Sequence, residues 1–344
     1  MRTKVLLTAL LVAAAAVAGC SQRAPGGGSG EGLTVLCSAQ EDWCQKVTAA
    51  FAAKTGITTR FVRLSAGEAL ARVDAAKGSP EFDVWHGGPA DTYVAAQERG
   101  LLQPHTSEIT ERIPAQFRDP AGYWTGIYFG ALGFCSNPDV LQANGLQVPT
   151  SWNDLLAPGF TKQVGIAHPA TSGTAYTALW TMVTLTGSEA GGLDYFRKLH
   201  RSVLQYSKTG SGPGQQAARG EVATAIVFSH DCAKYKKESA PNLVLSFPEE
   251  GTGYEIGGVG ILAGAHNLDA AREYVDFAAS AEAQNIGPTV NSFQRPTAPD
   301  ATAAPESFDP ETTKLVDYDL VAAGKAKEAL LKQFSSDVAN SPEK

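Results

Sequence analysis

Hydroxyls, small residues and free backbone N–H groups gather at Thr171-Ser172-Gly173-Thr174, immediately ahead of an apolar helical stretch. At a helix start, side-chain oxygens and the positive end of the helix dipole suit a phosphate or other anion, or else simply cap the helix. Thr209-Gly-Ser-Gly-Pro-Gly214 offers the same anion a second site, although its composition favours a flexible loop. A different chemistry sits further on: His230-Asp231 closes an apolar strand, and Glu255 interrupts a Gly-rich extended segment. Two carboxylates and an imidazole accept hydrogen bonds from sugar hydroxyls, or bond backbone amides as buried structural groups. They would repel a phosphate, so the two chemistries belong at opposite ends of one ligand.

Catalytic spacing is thin. The chain has no Gly-x-Ser-x-Gly elbow, no His-Glu-x-x-His, no Walker loop and no Gly-x-Gly-x-x-Gly after a strand. A dispersed triad leaves no spacing to read, so a secreted phosphate-ester hydrolase stays as an alternative from the enzyme class. The preferred reading is a binder without catalysis, cofactor or resident metal.

The elements that must position these residues follow from periodicity. Strands are expected at Leu33–Cys37, Thr58–Leu64 and Phe82–Trp85, with helices over Trp43–Lys54 (ended by Gly56), Gly67–Lys77 and Ala90–Arg99. This strand-helix alternation implies a largely parallel sheet. Gly122–Phe134 breaks the pattern as a long extended stretch. A second series then gives a helix from Ser151 to Leu156, strand Val164–Ala167, helices Thr174–Thr186 and Gly192–His200, and strand Ala223–Ser229. Strand Leu243–Phe247, extended Gly251–Leu262 and helix Leu268–Ala279 complete it. Two series joined by extended crossings predict two α/β lobes, residues 33–130 with 250–344 and residues 131–249. Ligands of such sheets lie where strands end and helices begin. Those junctions read Cys37-Ser-Ala-Gln-Glu41, Leu64-Ser-Ala-Gly-Glu68 and Trp85-His-Gly-Gly-Pro89, besides the two above. They add Ser38, Gln40, Ser65, Gly67, His86, Gly87 and Gly88 to the candidates Thr171, Ser172, Gly173, Thr174, His230, Asp231 and Glu255.

Composition narrows the class further. The 344 residues carry 28 Lys and Arg against 35 Asp and Glu, a net charge of -7, with no basic stripe, which argues against a nucleic-acid partner. Arg2 and Lys4 precede the apolar run Val5–Gly19, which is too short for an ordinary membrane span and has the layout of a secretory signal. Val17-Ala18-Gly19-Cys20 ends it as a lipoprotein signal does, which makes residues 1–19 a signal peptide and Cys20 the acylated residue. Residues 20–32 then form the anchor and a Gly/Ser-rich tether. The expected place is outside the cytoplasmic membrane, anchored but not spanning. That compartment permits disulfides among Cys37, Cys44, Cys135 and Cys232, for which three pairings exist. The closeness of Cys37 to Cys44 favours their bond, which leaves Cys135 with Cys232; a structural zinc site is the weaker alternative because no paired short-spacing motif is present.

The lipoprotein junction and six motifs resemble an ABC-importer substrate-binding protein over residues 33 to 290. These are Cys37-Ser-Ala-Gln-Glu-Asp-Trp-Cys44, Ser65-Ala-Gly-Glu68, Asp83-Val-Trp-His-Gly-Gly88, Pro169-Ala-Thr-Ser-Gly-Thr-Ala-Tyr176, Ser229-His-Asp231 and Gly251-Thr-Gly-Tyr-Glu-Ile-Gly-Gly258. The nearest branch groups ferric-iron, hexose-phosphate and aminoethylphosphonate binders. The resemblance implies a type II periplasmic-binding fold, with two lobes on crossing hinge strands that close on a solute and deliver it, as a monomer, to a membrane permease. Iron-binding members use adjacent tyrosines as ligands; this chain has no Tyr-Tyr pair and shows Ser229-His-Asp231 in the matching region. Sugar-phosphate members carry a His-Asp pair and a crossing-segment Glu for hydroxyls beside a Ser/Thr cap for phosphate. His230, Asp231, Glu255, Ser172 and Thr174 match that pattern. The resemblance therefore implies a phosphorylated small molecule, above all a sugar phosphate, with a phosphonate or ferric iron as alternatives.

Overall fold

Short apolar β-branched runs, each followed by a small or polar turn, set the order of elements in the computed structural model, which describes residues 32–339. The first series runs β1 (Leu33–Cys37), α1 (Glu41–Thr55), β2 (Thr59–Arg63), α2 (Ala66–Ala75), β3 (Val84–Pro89), α3 (Ala90–Glu98), β4 (Leu102–Gln103) and α4 (Glu108–Arg112). The long β5 (Thr125–Ser136) leads into α5 (Pro138–Ala143), β6 (Val164–Ala167), α6 (Gly173–Thr186), α7 (Glu189–Leu199) and β7 (Val203–Ser207). Then come α8 (Gly212–Ala218), β8 (Thr224–Phe228), α9 (Ser229–Glu238), β9 (Val244–Ser246) and β10 (Tyr254–Leu262). The chain ends with α10 (Leu268–Ala279), α11 (Ala281–Gln284), β11 (Arg295–Pro296) and α12 (Leu320–Asp337). Signal, Cys20 and the tether up to residue 31 lie outside the described residues.

All twelve residues of β5 are buried, and the strand serves two sheets. Thr125–Ala131 pairs antiparallel with β10, and Leu132–Ser136 pairs antiparallel with β8. On one side the order is β2-β1-β3-β10-β5, with β1 parallel to β2 and β3; on the other it is β5-β8-β6-β7, with β6 parallel to both neighbours. This is the two-lobed α/β fold with crossing strands. Each side has its own core. Trp43, Val47 and Phe51 of α1 pack with Tyr274 and Phe277 of α10 over β1 and β3, while Phe134, Ile166, Leu179 and Phe196 centre the other. Helix α12 joins the second core through Leu330 and Phe334, and its Lys327 pairs at 3.0 Å with Asp91 of α3.

Several boundaries differ from the sequence reading, each for a local reason. Strand β3 starts two residues late and runs on through His86-Gly87-Gly88-Pro89, because Gly87 and Gly88 take φ of 79° and 87°, open to residues without Cβ. Ser151 does not start an α-helix. Asp154 accepts from the N–H groups of Thr150 and Ser151, and only a short 3-10 turn, Asp154–Leu156, fits ahead of Pro158. His230 and Asp231 do not close a strand but occupy the first turn of α9. Helices α4, α5, α8, α9, α11 and α12 have no counterpart in the sequence reading. The sequence of α9, Ser-His-Asp-Cys-Ala-Lys-Tyr-Lys-Lys-Glu, carries too few apolar residues to show a helical period.

Candidate functional site

Strand ends and helix starts from both sheets converge on one cleft of about 460 Å3, its open mouth included. Ser38 and Gln40 come from the start of α1, Ser65 and Ala66 from α2, and Gly88 and Pro89 from the start of α3. The other side supplies Ser172, Gly173 and Thr174 from α6, Gly210 and Ser211 just ahead of α8, and Phe228, His230 and Asp231 at the start of α9. Six helix N-termini facing one space give it unpaired N–H groups and a positive potential.

At the hydroxyl-rich part, Ser172 caps α6 by accepting from Ala175 N–H at 3.3 Å, and Thr174 is 8% exposed. A Cβ on Gly210 would collide with Thr174 Oγ1, so only glycine lets the segment before α8 come this close. Among the described residues Arg63, at the end of β2, is the single Lys or Arg lining the cleft, and its Nε donates to Ala39 O at 3.3 Å. These groups favour an anion.

The acidic part is built from α9 and β10. His230 Nε2 lies 3.7 Å from Glu255 Oε1, both almost fully buried, and the His230 ring stacks on Phe228 at 5.5 Å between centroids. Burial, then the charges of Asp231 and Asp91, push the Glu255 carboxyl well above the usual range, against the opposing Tyr128 hydroxyl. Burial lowers the His230 pKa while Asp231 raises it. Gln40 Nε2 donates to Asp231 Oδ1 at 2.8 Å, and Gln40 Oε1 accepts from Ser292. A bond thus already spans the two sides at this point.

Ten of the fourteen expected ligand residues line the cleft and four do not. Gly67 donates its N–H to Thr171 O at 3.0 Å, which places both at a contact between α2 and the loop before α6. Thr171 Oγ1 is turned away toward the carbonyls of His168 and Lys208. Gly87 lies under the site, its carbonyl accepting from Tyr93 OH. His86 is a core residue, 1% exposed, with Nδ1 3.2 Å from Tyr274 OH. Sequence reasoning missed Arg63, Tyr128 and Gln294, and it read Gly210 and Ser211 as loop. Arg63 closes a strand immediately before a junction already singled out, a usable signal; Tyr128 and Gln294 reach the cleft only through tertiary pairing. Among the described residues, no group of three His, Cys, Asp or Glu is arranged to hold a metal ion.

Both expected disulfides are formed, Cys37–Cys44 and Cys135–Cys232. Each brackets site residues. The first ties β1 to α1 around Ser38 and Gln40, and the second ties β5 to α9 one residue after Asp231. Covalent closure therefore ties down the turn that carries Ser38 and Gln40 and the first turn of α9 that carries His230 and Asp231.

Two sheets sharing a crossing strand, with helix N-termini from both facing one polar cleft, define a periplasmic-type solute receptor. The chain belongs to the bacterial extracellular solute-binding protein family, whose sequence profile matches residues 79–322. It is 41% identical over 339 residues, 96% of each chain, to a protein of unassigned function from Haemophilus influenzae. The periplasmic binding protein AfuA from Actinobacillus pleuropneumoniae, solved with exogenous fructose-6-phosphate bound, is 39% identical with a TM-score of 0.86, covering 89% of this chain and 98% of that one. The periplasmic binding protein P5PA is 32% identical, also with a TM-score of 0.86, over 90% of this chain and 100% of its own. This is thus a solute-binding protein of the ABC-importer kind, a class whose members deliver ligands to a membrane permease. No helix of the described residues is long and apolar enough to cross a membrane.

Proposed function

We propose that this receptor captures a phosphorylated small molecule, above all a sugar phosphate, between a lobe formed by residues 33–130 with the chain that returns after 250 and a lobe formed by residues 131–249, whose core α12 also joins. The observation that carries this reading is the mixed polarity of the cleft, which brings Arg63, Ser172, Thr174 and helix N-termini together with His230, Asp231 and Glu255. A phosphate satisfies the first set and polyol hydroxyls the second. An aminoethylphosphonate would bring a single ammonium to the second set where a polyol brings several hydroxyls, and ferric iron would find too few hard donors. The likeness to AfuA with fructose-6-phosphate supports the same reading. Ligand contacts made to both lobes at once drive closure.

Titration calorimetry tests it. Ser172→Ala with Thr174→Ala is expected to weaken every phosphorylated ligand, by about 1.5–3 kcal/mol for each lost charged hydrogen bond. Asp231→Ala is expected to weaken fructose 6-phosphate far more than inorganic phosphate, since the sugar hydroxyls are the donors that reach this carboxylate when the phosphate is held by the Ser172 and Thr174 cap. Equal losses for the two ligands, or tight ferric-iron binding without any phosphorylated ligand, would refute the assignment of the ends. The receptor is also proposed to be held at the outer face of the membrane by a lipid on Cys20. Cys20→Ala should move the protein out of the membrane fraction, and an unchanged distribution would remove the anchor from the account.

A further inference from the structure

Gln294 sits just before β11, in a segment whose sequence carries no motif. It lines the cleft, is 6% exposed, and its Oε1 accepts no hydrogen bond from any described residue. Its position is set by pairing: Arg295 lies opposite Phe129 of β5 and Pro296 opposite Tyr128, so the register carries Gln294 alongside Gly130. Gly130 is also where the acidic part of the cleft rests. Glu255 is its partner on β10, and a Cβ on Gly130 would come within 2.9 Å of His230 Nδ1. Two residues before Gln294, Ser292 donates to Gln40, which in turn holds Asp231.

A buried amide oxygen with no protein donor is costly unless something else supplies one, and buried polar groups of native proteins are nearly always satisfied. We propose that Gln294 is a specificity-determining residue of the cleft, whose amide oxygen accepts a hydrogen bond from a ligand hydroxyl other than those read by Asp231 and Glu255. This rests on the sugar-phosphate reading above. It requires the ligand to present a further donor toward β11, so the sugar is held from the β5–β11 side as well as from α9. Ligands with a phosphate and few hydroxyls lose this contact.

The test is Gln294→Met, which keeps length and removes the polar end, measured by calorimetry with fructose 6-phosphate and inorganic phosphate and by the melting temperature of the unliganded protein. Affinity for fructose 6-phosphate is expected to fall about 3- to 10-fold, as for one neutral hydrogen bond, while that for inorganic phosphate changes less than twofold. The unliganded melting temperature is expected to hold or rise, because an unsatisfied buried acceptor has been removed. Unchanged fructose 6-phosphate affinity overturns the proposal. So does a lower melting temperature with equal weakening of both ligands, which marks a structural residue. Gln294→Asn, which draws the amide back, is read by the same pattern if the Met variant does not fold. If the unaltered protein binds neither probe, the sugar-phosphate reading itself fails, an outcome distinct from a variant that binds both probes as the wild type does.

Discussion

Replacing Cys135 and Cys232 together by Ala is expected to lower the free energy of unfolding by about 4.7 kcal/mol, against about 2.4 kcal/mol for replacing Cys37 and Cys44, by the loop-entropy relation. The difference follows from sequence separations of 97 and 7 residues, because a cross-link over the longer loop removes more freedom from the unfolded chain. Denaturant unfolding of the two variants decides it, and equal losses would reject the loop-length argument. The longer cross-link also fastens the first turn of α9 to β5, so its removal should weaken sugar-phosphate binding even where the protein remains folded. Affinity unchanged in the folded variant would show that α9 is held by packing alone.

Between pH 7 and pH 3.5 the wild type is expected to lose about 4 kcal/mol more stability than His86→Gln. Burial in β3, with Trp43 and Tyr274 against the ring, lowers the His86 pKa from 6.5 to about 3. An unfolded chain takes up a proton near pH 6.5 that the folded one refuses until about pH 3. Stability is therefore fully present above pH 6.5 and falls through that window at about 1.4 kcal/mol per pH unit. His230, also lowered by burial, acts in the same direction. Glu255 acts in the opposite one: its raised pKa means the folded state holds a proton that the unfolded chain releases, so it adds stability as pH falls. Both are common to wild type and variant, and the difference between the two curves isolates His86. Parallel curves would mean that His86 is not held neutral in the fold.

His86 shows how the reading of the sequence and the structure part. The junction rule selected the ends of β1, β2, β3, β6 and β8, and residues from each of them line the cleft, since side chains there have no strand neighbour to bury them. It also selected His86, Gly87, Gly67 and Thr171, which stand at the right junctions but face the core or a neighbouring loop. A junction in sequence fixes an address along the chain; which way a side chain turns depends on what packs beside it. Gly87 and Gly88 illustrate the limit: both were selected for the same small size, yet only Gly88 reaches the cleft.

The sequence by itself determined the strand-helix alternation, the crossing stretches, the cap at Ser172, the disulfide expectation and most of the hydroxyl and acidic residues that line the cleft. Those rest on local pattern: period, capping residues, spacing of cysteines and the charge of individual side chains. Only the tertiary structure decided that Arg63 is the one Lys or Arg among the described residues to line the cleft, that Gly210 and Ser211 join Thr174, and that Tyr128 and Gln294 reach the cleft. It also decided that His230 and Asp231 open a helix rather than close a strand. The reason is that these residues meet through pairings such as Arg295 with Phe129 and Glu255 with Gly130, far apart in the chain. The energy of such contacts comes from burying surfaces against each other, and no window of sequence contains both partners.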